Sequence, residues 1–226
     1  MSSPRLIMFD VDGTLIDSQL VIIKAMADAY QDVGLPAPSN AQVLSIVGLS
    51  LPEAMRGISP EIGEDKVEAL VDAYRAGFVK NRAQGKGEAS VPLYQGARDC
   101  LQRLNRDPSS ILGAATGKAR RGLDVVIEAH GLHGMFVTLQ TADIHPSKPN
   151  PAMLEAACAE TGIEPQQAVM IGDTSYDMEM GKAAGYATIG VAWGYHDLDR
   201  LGASADVIVH EFSAIDAAID ELLGTR

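Results

Sequence analysis

Two regimes of hydrophobic patterning divide the chain. Leu6-Ile7-Met8-Phe9 is an unbroken apolar run, followed at once by Asp10 and Asp12. A short apolar run without polar alternation predicts a strand buried on both faces, as in parallel sheets. After Ser18 the pattern turns helical. Leu20 to Ile23, with Ala25, Met26, Ala29 and Tyr30, predicts an apolar helix that Gly34 and Pro36 end. Ser39 or Asn40 can cap a second helix reaching about Val47, where Gly48 breaks it. Pro52 suits the first turn of a short third helix through Met55. Val67, Leu70, Val71, Tyr74 and Phe78 line one face of a fourth. No strand pattern interrupts this block, and Gln84 to Ser90 reads as a flexible connection.

From Val91 onward strands and helices alternate. Strands are expected at Ser110 to Ala115, Met135 to Leu139, Ala168 to Ile171 and Ala187 to Val191, with a weaker one at Ala205 to Val209. Between and after them, helices are expected around Leu101, from Lys118 to His130, Pro151 to Thr161 and Ser175 to Ala184, and from Ser213 to Leu223. Repeated βα units predict an α/β fold, a parallel sheet between helical layers joined by right-handed crossovers. Such sheets carry their chemistry at the carboxyl ends of the strands. The helical block is then an insertion after the first strand: residues 1–17 and 88–226 form the core, and 18–87 the inserted domain.

Composition narrows the partners. The chain has 226 residues, with 18 Lys and Arg against 30 Asp and Glu, a formal charge of −12. That balance argues against nucleic acid, whose binding needs a basic surface, and against anionic membranes. No apolar run reaches the ~20 residues of a membrane helix, and Met1 to Arg5 leads into the first strand with no signal-like segment, so a cytoplasmic protein is expected. Cys100 and Cys158 form no Cys-x-x-Cys pair and read as small buried residues.

Four segments carry candidate chemistry. Asp10 and Asp12 would share one side if the strand continued, and two like charges there favour a bound cation. An Asx turn with Gly13 at positive φ is the alternative for Asp-x-Asp-Gly alone, but the apolar strand before it and Thr-Leu-x-Asp-Ser after it favour the former. Thr116-Gly117-Lys118 ends a strand and opens a helix, an anion cradle or, taken alone, simply an N-cap. Lys148, in a loop stiffened by Pro149 and Pro151, faces a phosphoryl group or solvent. Asp173 follows a buried strand and Gly172, with Asp177 four residues on, a pair better placed for metal ligation than for helix capping alone.

In that order, Asp-x-Asp-Gly-Thr-Leu-x-Asp-Ser, Thr116, Lys148-Pro149 and Gly-Asp-x-x-x-Asp resemble the four motifs of the haloacid dehalogenase superfamily. Asp10 and Thr116 lie 106 residues apart, room for a helical cap, whereas 32 residues separate Thr116 from Lys148 and 25 separate Lys148 from Asp173. This spacing is similar to the phosphoglycolate phosphatase-like branch, although Gly117 stands where Asn or Ser is more usual. The resemblance implies a Rossmann-like core with an all-helical cap. It also implies a Mg2+-dependent phosphatase acting through an aspartyl-phosphate on a small phosphorylated metabolite, phosphoglycolate-like or a sugar phosphate. By the same resemblance, Asp10 is the nucleophile and Asp12 the acid/base. Asp10, the Asp12 carbonyl and Asp173 hold the metal, while Thr116, Gly117 and Lys148 hold the phosphoryl group. Asp177 orders Lys148 or metal-bound water. Trp193, His145, Arg120 and Arg121 receive no role.

Other readings are weaker. A dehalogenase would lack the acid/base Asp12. A sugar phosphomutase resembling β-phosphoglucomutase would carry Gly-x-Ser-Arg in its cap, where this chain has Gly48-Leu49-Ser50-Leu51. A phospho-accepting signalling module needs neither a helical cap nor Asp12.

Overall fold

The computed structural model describes residues 4–83 and 88–224. At its centre lie six strands: β1 (Arg5–Phe9), β2 (Ser110–Thr116), β3 (Thr138–Thr141), β4 (Ala168–Gly172), β5 (Ala187–Val191) and β6 (Val207–Val209). Their spatial order is β3-β2-β1-β4-β5-β6, and every neighbouring pair is parallel. Between β1 and the rest of the core run α1 (Gln19–Asp32), α2 (Asn40–Ser45), α3 (Leu51–Ile58) and α4 (Glu64–Ala83). The core helices are α5 (Ala97–Arg106), α6 (Arg120–Ala129), α7 (Ala152–Thr161), α8 (Ser175–Ala183), α9 (Leu198–Gly202) and α10 (Ile215–Leu223). Together they make an α/β fold with an inserted helical cap. No helix among the described residues is long and apolar enough to cross a membrane.

The unbroken apolar strands follow from burial on both faces. Along β1, Ile7 and Phe9 pack with Leu101 and Leu104 of α5, Leu123 of α6 and Ile215 of α10. Leu6 and Met8 point the other way, into a cluster with Met153 and Leu154 of α7 and Met180 of α8. The cap has an apolar cluster of its own, with Met26, Tyr30, Val43, Met55 and Leu70 at its centre. A buried polar pair within the cap, the Tyr30 and Ser59 hydroxyls, is satisfied internally at 2.9 Å.

The chain order places β1 between β2 and β4, so consecutive crossovers leave β1 in opposite directions. A crevice opens at such a switch point, at the carboxyl ends of the strands.

Several elements differ from the sequence expectation. The strand expected at Met135 to Leu139 forms instead at Thr138–Thr141, and Val137 is exposed. Three of its four residues are polar yet buried, and partners satisfy two of them: Thr138 donates to Glu160 (2.6 Å), and Gln140 donates to Thr138 (2.7 Å). Apolar patterning has no signal for such a strand. The third helix extends beyond Met55 to Ile58, and α6 starts at Arg120, after Lys118. Helix α9 was not expected, and a 3₁₀ turn at Phe212–Ala214 precedes α10. Of the expected flexible connection, Gln84 to Gly87 lies outside the described residues, and Glu88–Ser90 is a 3₁₀ turn.

Candidate active site

The backbone amide of Asp10 donates to Ile171 O of β4 at 2.9 Å, carrying the sheet pairing one residue past β1. The chain then turns tightly, with the amides of Leu15 and Ile16 both donating to Val11 O. Gly13 has φ +85°, and a Cβ there would overlap the Asp173 carboxylate, so the turn requires glycine twice over. The turn delivers the Thr14 hydroxyl to Asp173 Oδ1 at 2.9 Å, while the Tyr195 amide donates to Asp173 Oδ2 at 2.9 Å.

Lys148, fully buried, joins the end of β1 to the first turn of α8. Its Nζ lies 2.7 Å from Asp10 Oδ1 and 2.6 Å from Asp177 Oδ1. Asp177 Oδ2 accepts from the Thr174 amide (3.1 Å) and hydroxyl (2.6 Å), so this aspartate caps α8 and holds the lysine at once. The solvated alternative for Lys148 is therefore excluded. A buried lysine is tolerated only when paired and hydrogen-bonded, and here it has two carboxylates.

The charges do not balance. Burial pushes the Asp10 carboxyl up to about 7, against the pull of Lys148 and with a further upward push from Asp177. Asp173 is raised well above the carboxylate range by burial, then by Asp10 and Asp177. Burial disfavours the charged form of Lys148, but Asp10 and Asp177 outweigh it and hold the ammonium above the ordinary lysine range. One cation thus serves three buried carboxylates. Oxygens of Asp10, Asp173 and Asp177 all lie within 4.8 Å of one another, and Asp10 Oδ2 is buried with no hydrogen-bond partner. An all-oxygen donor set with surplus negative charge fits a hard divalent cation.

Asp12 is buried and its Oδ2 lies 3.0 Å from Lys118 Nζ. Thr116 does not cap the following helix. Ala119 occupies the cap position, and Thr116 Oγ1 accepts from the Lys118 amide at 3.2 Å, folding the loop over Gly117. A Cβ on Gly117 would come within 2.6 Å of the carbonyl oxygens of Gly48 and Leu49, so the cap loop sits directly on this core loop. Asp10, Asp12, Thr116, Gly117 and Lys118 line a cavity of about 400 Å³ whose other wall is the cap.

Other expected or undecided residues fall elsewhere. His145 donates to Gln140 at 2.6 Å, and Arg120 pairs with Asp124 at 2.8 Å on the surface. Cys100 is buried in the α5 layer, and Cys158 contacts the Tyr186 hydroxyl at 3.1 Å. Trp193 supports the nucleophile turn, its indole donating to Thr14 O at 3.0 Å while its ring packs on Phe212. Thr14 and the Tyr195 amide were missed by the sequence reading. Thr14 lies inside the first motif and could have been found there, whereas a backbone amide brought in after β5 leaves no sequence mark. Cap and core are also tied by polar contacts. The Ser50 amide donates to Ser147 Oγ (2.8 Å), Tyr176 OH donates to Ser45 O (3.1 Å), and His196 donates through Nε2 to the same carbonyl (3.2 Å).

Comparison with known proteins agrees with this geometry. Residues 7–191 match the family model described as haloacid dehalogenase-like hydrolase. The chain is 34% identical over 222 residues to the probable phosphatase IndB of Dickeya dadantii, covering 96% of this chain and 94% of that protein. It is 31% identical over 223 residues to a protein of Mycobacterium tuberculosis named tyrosine-protein kinase PtkA, covering 98% of this chain and 73% of that one. A solved structure of a predicted phosphoglycolate phosphatase from Haemophilus somnus superposes with a TM-score of 0.83 at 24% identity, covering 96% of this chain and 99% of that chain, and so shares the fold. A family match spanning most of the chain, with sequence likeness along nearly its whole length, places it among the haloacid dehalogenase-like hydrolases, as a phosphoric monoester hydrolase.

Proposed function

We propose that this enzyme is a Mg2+-dependent phosphatase that hydrolyses a small phosphomonoester through an aspartyl-phosphate on Asp10. The observation that carries the reading is the asymmetry of the Asp10 carboxylate. Lys148 holds Oδ1 at 2.7 Å, while Oδ2 is buried without a partner in a residue that lines the cavity. A nucleophile needs one fixed oxygen to set its orientation and one free oxygen to react.

Asp10 Oδ2 attacks phosphorus, and the bond from phosphorus to the substrate oxygen breaks as the new one forms. Asp12 gives its proton to the departing alcohol, then takes one from the water that cleaves the acyl phosphate. Lys118 lies 3.0 Å from Asp12, and an incoming phosphoryl group offers Lys118 another partner. Thr116 and the Gly117 amide hold phosphoryl oxygens, and Lys148, steadied by Asp177, offsets charge beside Asp10. Bound Mg2+, held by Asp10, the Asp12 carbonyl and Asp173, would neutralise developing charge on the phosphoryl oxygens. The cap, residues 18–87, closes over the site and contacts the leaving group, which suits a small metabolite in the cytoplasm and leaves no room for nucleic acid.

Phosphate release from p-nitrophenyl phosphate is expected to require magnesium and to stop in excess EDTA. Asp10→Asn should lower kcat by ~10³-fold or more. EDTA-resistant turnover, or near-wild-type rates in Asp10→Asn, would overturn the mechanism. The same preparation given ATP should form no phosphotyrosine, the activity suggested by the name of one relative.

A further inference from the structure

The cap wall of the cavity says what kind of leaving group it was built for. Ile22 and Met26 of α1, Val47, Leu51 of α3, and Phe78 and Val79 of α4 face the phosphoryl site across it. Tyr74 also lines the cavity and packs against Phe78 with ring centroids 4.9 Å apart, making an aromatic panel on α4. Among the described cap residues that line the cavity, Tyr74 and Arg75 alone carry polar side-chain atoms. A sugar bound here would place several hydroxyls against this wall, and each hydroxyl left unpaired there loses its bonds to water without replacement. An apolar body has no such cost and gains from burial. The volume, about 400 Å³, lies within the ~300–1,000 Å³ of small-molecule sites.

The charged lining adds a second constraint. Lys118 is paired with Asp12, and Asp143 accepts from the Arg120 amide at 3.1 Å. Arg75 of α4 and Arg121 of α6 also line the cavity, one from the cap and one from the core. Both side chains are exposed, and neither has an ion pair among the described residues. Two guanidinium groups contributed by opposite walls suit a carboxylate or other second anion on the leaving group.

We infer that the substrate is the phosphate ester of an alcohol with an aromatic or branched aliphatic body and a distal anionic group, in preference to a sugar phosphate or phosphoglycolate. The inference rests on the phosphatase reading and names the substrate class for the same site. Leu51 and Phe78 select the body, and Arg75 with Arg121 selects the far end.

The test compares kcat/KM, with magnesium present, for 4-carboxybenzyl phosphate, benzyl phosphate, glucose 6-phosphate, phosphoglycolate and p-nitrophenyl phosphate. The carboxybenzyl ester is expected to lead. Both benzyl esters should exceed glucose 6-phosphate and phosphoglycolate by ~10-fold or more, as the loss of apolar contact predicts. In Arg75→Ala/Arg121→Ala the ratio between the two benzyl esters should fall towards one. A lead for glucose 6-phosphate or phosphoglycolate, or an unchanged benzyl ratio in the double variant, would overturn the inference. Calorimetric titration of the same esters into Asp10→Asn reads the ranking as Kd without turnover. If every ester, p-nitrophenyl phosphate included, resists hydrolysis while this Kd ranking holds, the cavity's preference stands as one of binding alone and the phosphatase reading falls.

Discussion

On the sheet side of the cavity, Asp10 and Lys148 are fixed by partners from other strand ends or loops, and Asp173 takes donors from Thr14 and Tyr195. On the cap side, Ile22, Met26, Val47 and Leu51 belong to an apolar cluster and have side chains that can form no hydrogen bond or ion pair to fix them. The first wall has almost no freedom. Removing one partner from a buried ion pair leaves the other charge uncompensated, at ~3–5 kcal/mol. The second wall is adjustable, since volume-conserving apolar exchanges usually cost under ~1.5 kcal/mol. A molecule divided in this way can keep its chemistry constant while its selectivity changes.

The sharpest way to break that contrast is to alter the chemistry without altering the cavity. Asp12→Asn should fold normally and lose ~10²–10⁴-fold in kcat on alkyl phosphates, the range of general acid catalysis. The loss should be smaller on p-nitrophenyl phosphate, whose leaving group scarcely needs a proton. Equal losses on both esters would remove Asp12 from the proton-transfer role.

A smaller effect is expected where the two walls meet. In Gly117→Ala the new Cβ would lie 2.6 Å from two cap carbonyl oxygens, both backbone atoms that cannot rotate away. Overpacking of this kind costs ~1–3 kcal/mol, which urea unfolding would read directly. Unchanged stability together with unchanged KM would show that the cap is not seated on this loop in solution.

The smallest effect concerns pH. His196 is buried, accepts from the Ser175 amide on Nδ1 (3.0 Å) and donates through Nε2 to Ser45 O, so the neutral ring fits both partners. Burial first, then the nearby Arg200, lowers its folded pKa below the ordinary 6.5. Below about pH 6.5 the unfolded chain therefore binds the proton more readily. The stability that His196 contributes is present above that pH and is lost as pH falls towards the folded value. In His196→Gln, thermal unfolding should depend less on pH below about 6.5 than in the wild type. Parallel curves for the two proteins would show that His196 carries no such linkage.

Much of this molecule is legible in local pattern, because buried parallel strands and capped helices have strong one-dimensional signatures. Leu6 to Phe9, Ala168 to Ile171 and Ala187 to Val191 announce themselves by unbroken apolarity, and the cap by helical spacing at Val67, Leu70, Val71, Tyr74 and Phe78. The first and last acidic motifs carry their own turn and cap chemistry, so Asp10, Asp12, Asp173 and Asp177 could be picked out as candidates from sequence. Other features depended on long-range approach. Strand β3 is polar and becomes a buried strand only through Glu160 and its own internal hydrogen bonds. Thr116, a plain N-cap by local rules, folds back on the Lys118 amide because the helix begins later. The Asp12–Lys118 pair and the Tyr195 amide on Asp173 join segments that no local pattern relates. The apolar character of the cavity is the clearest case. Ile22 and Phe78 each read in sequence as an ordinary helix-core residue, and only the docking of cap on core turns them towards the phosphoryl site. Periodicity reports which face of an element is buried, but what that face is buried against is decided by tertiary structure.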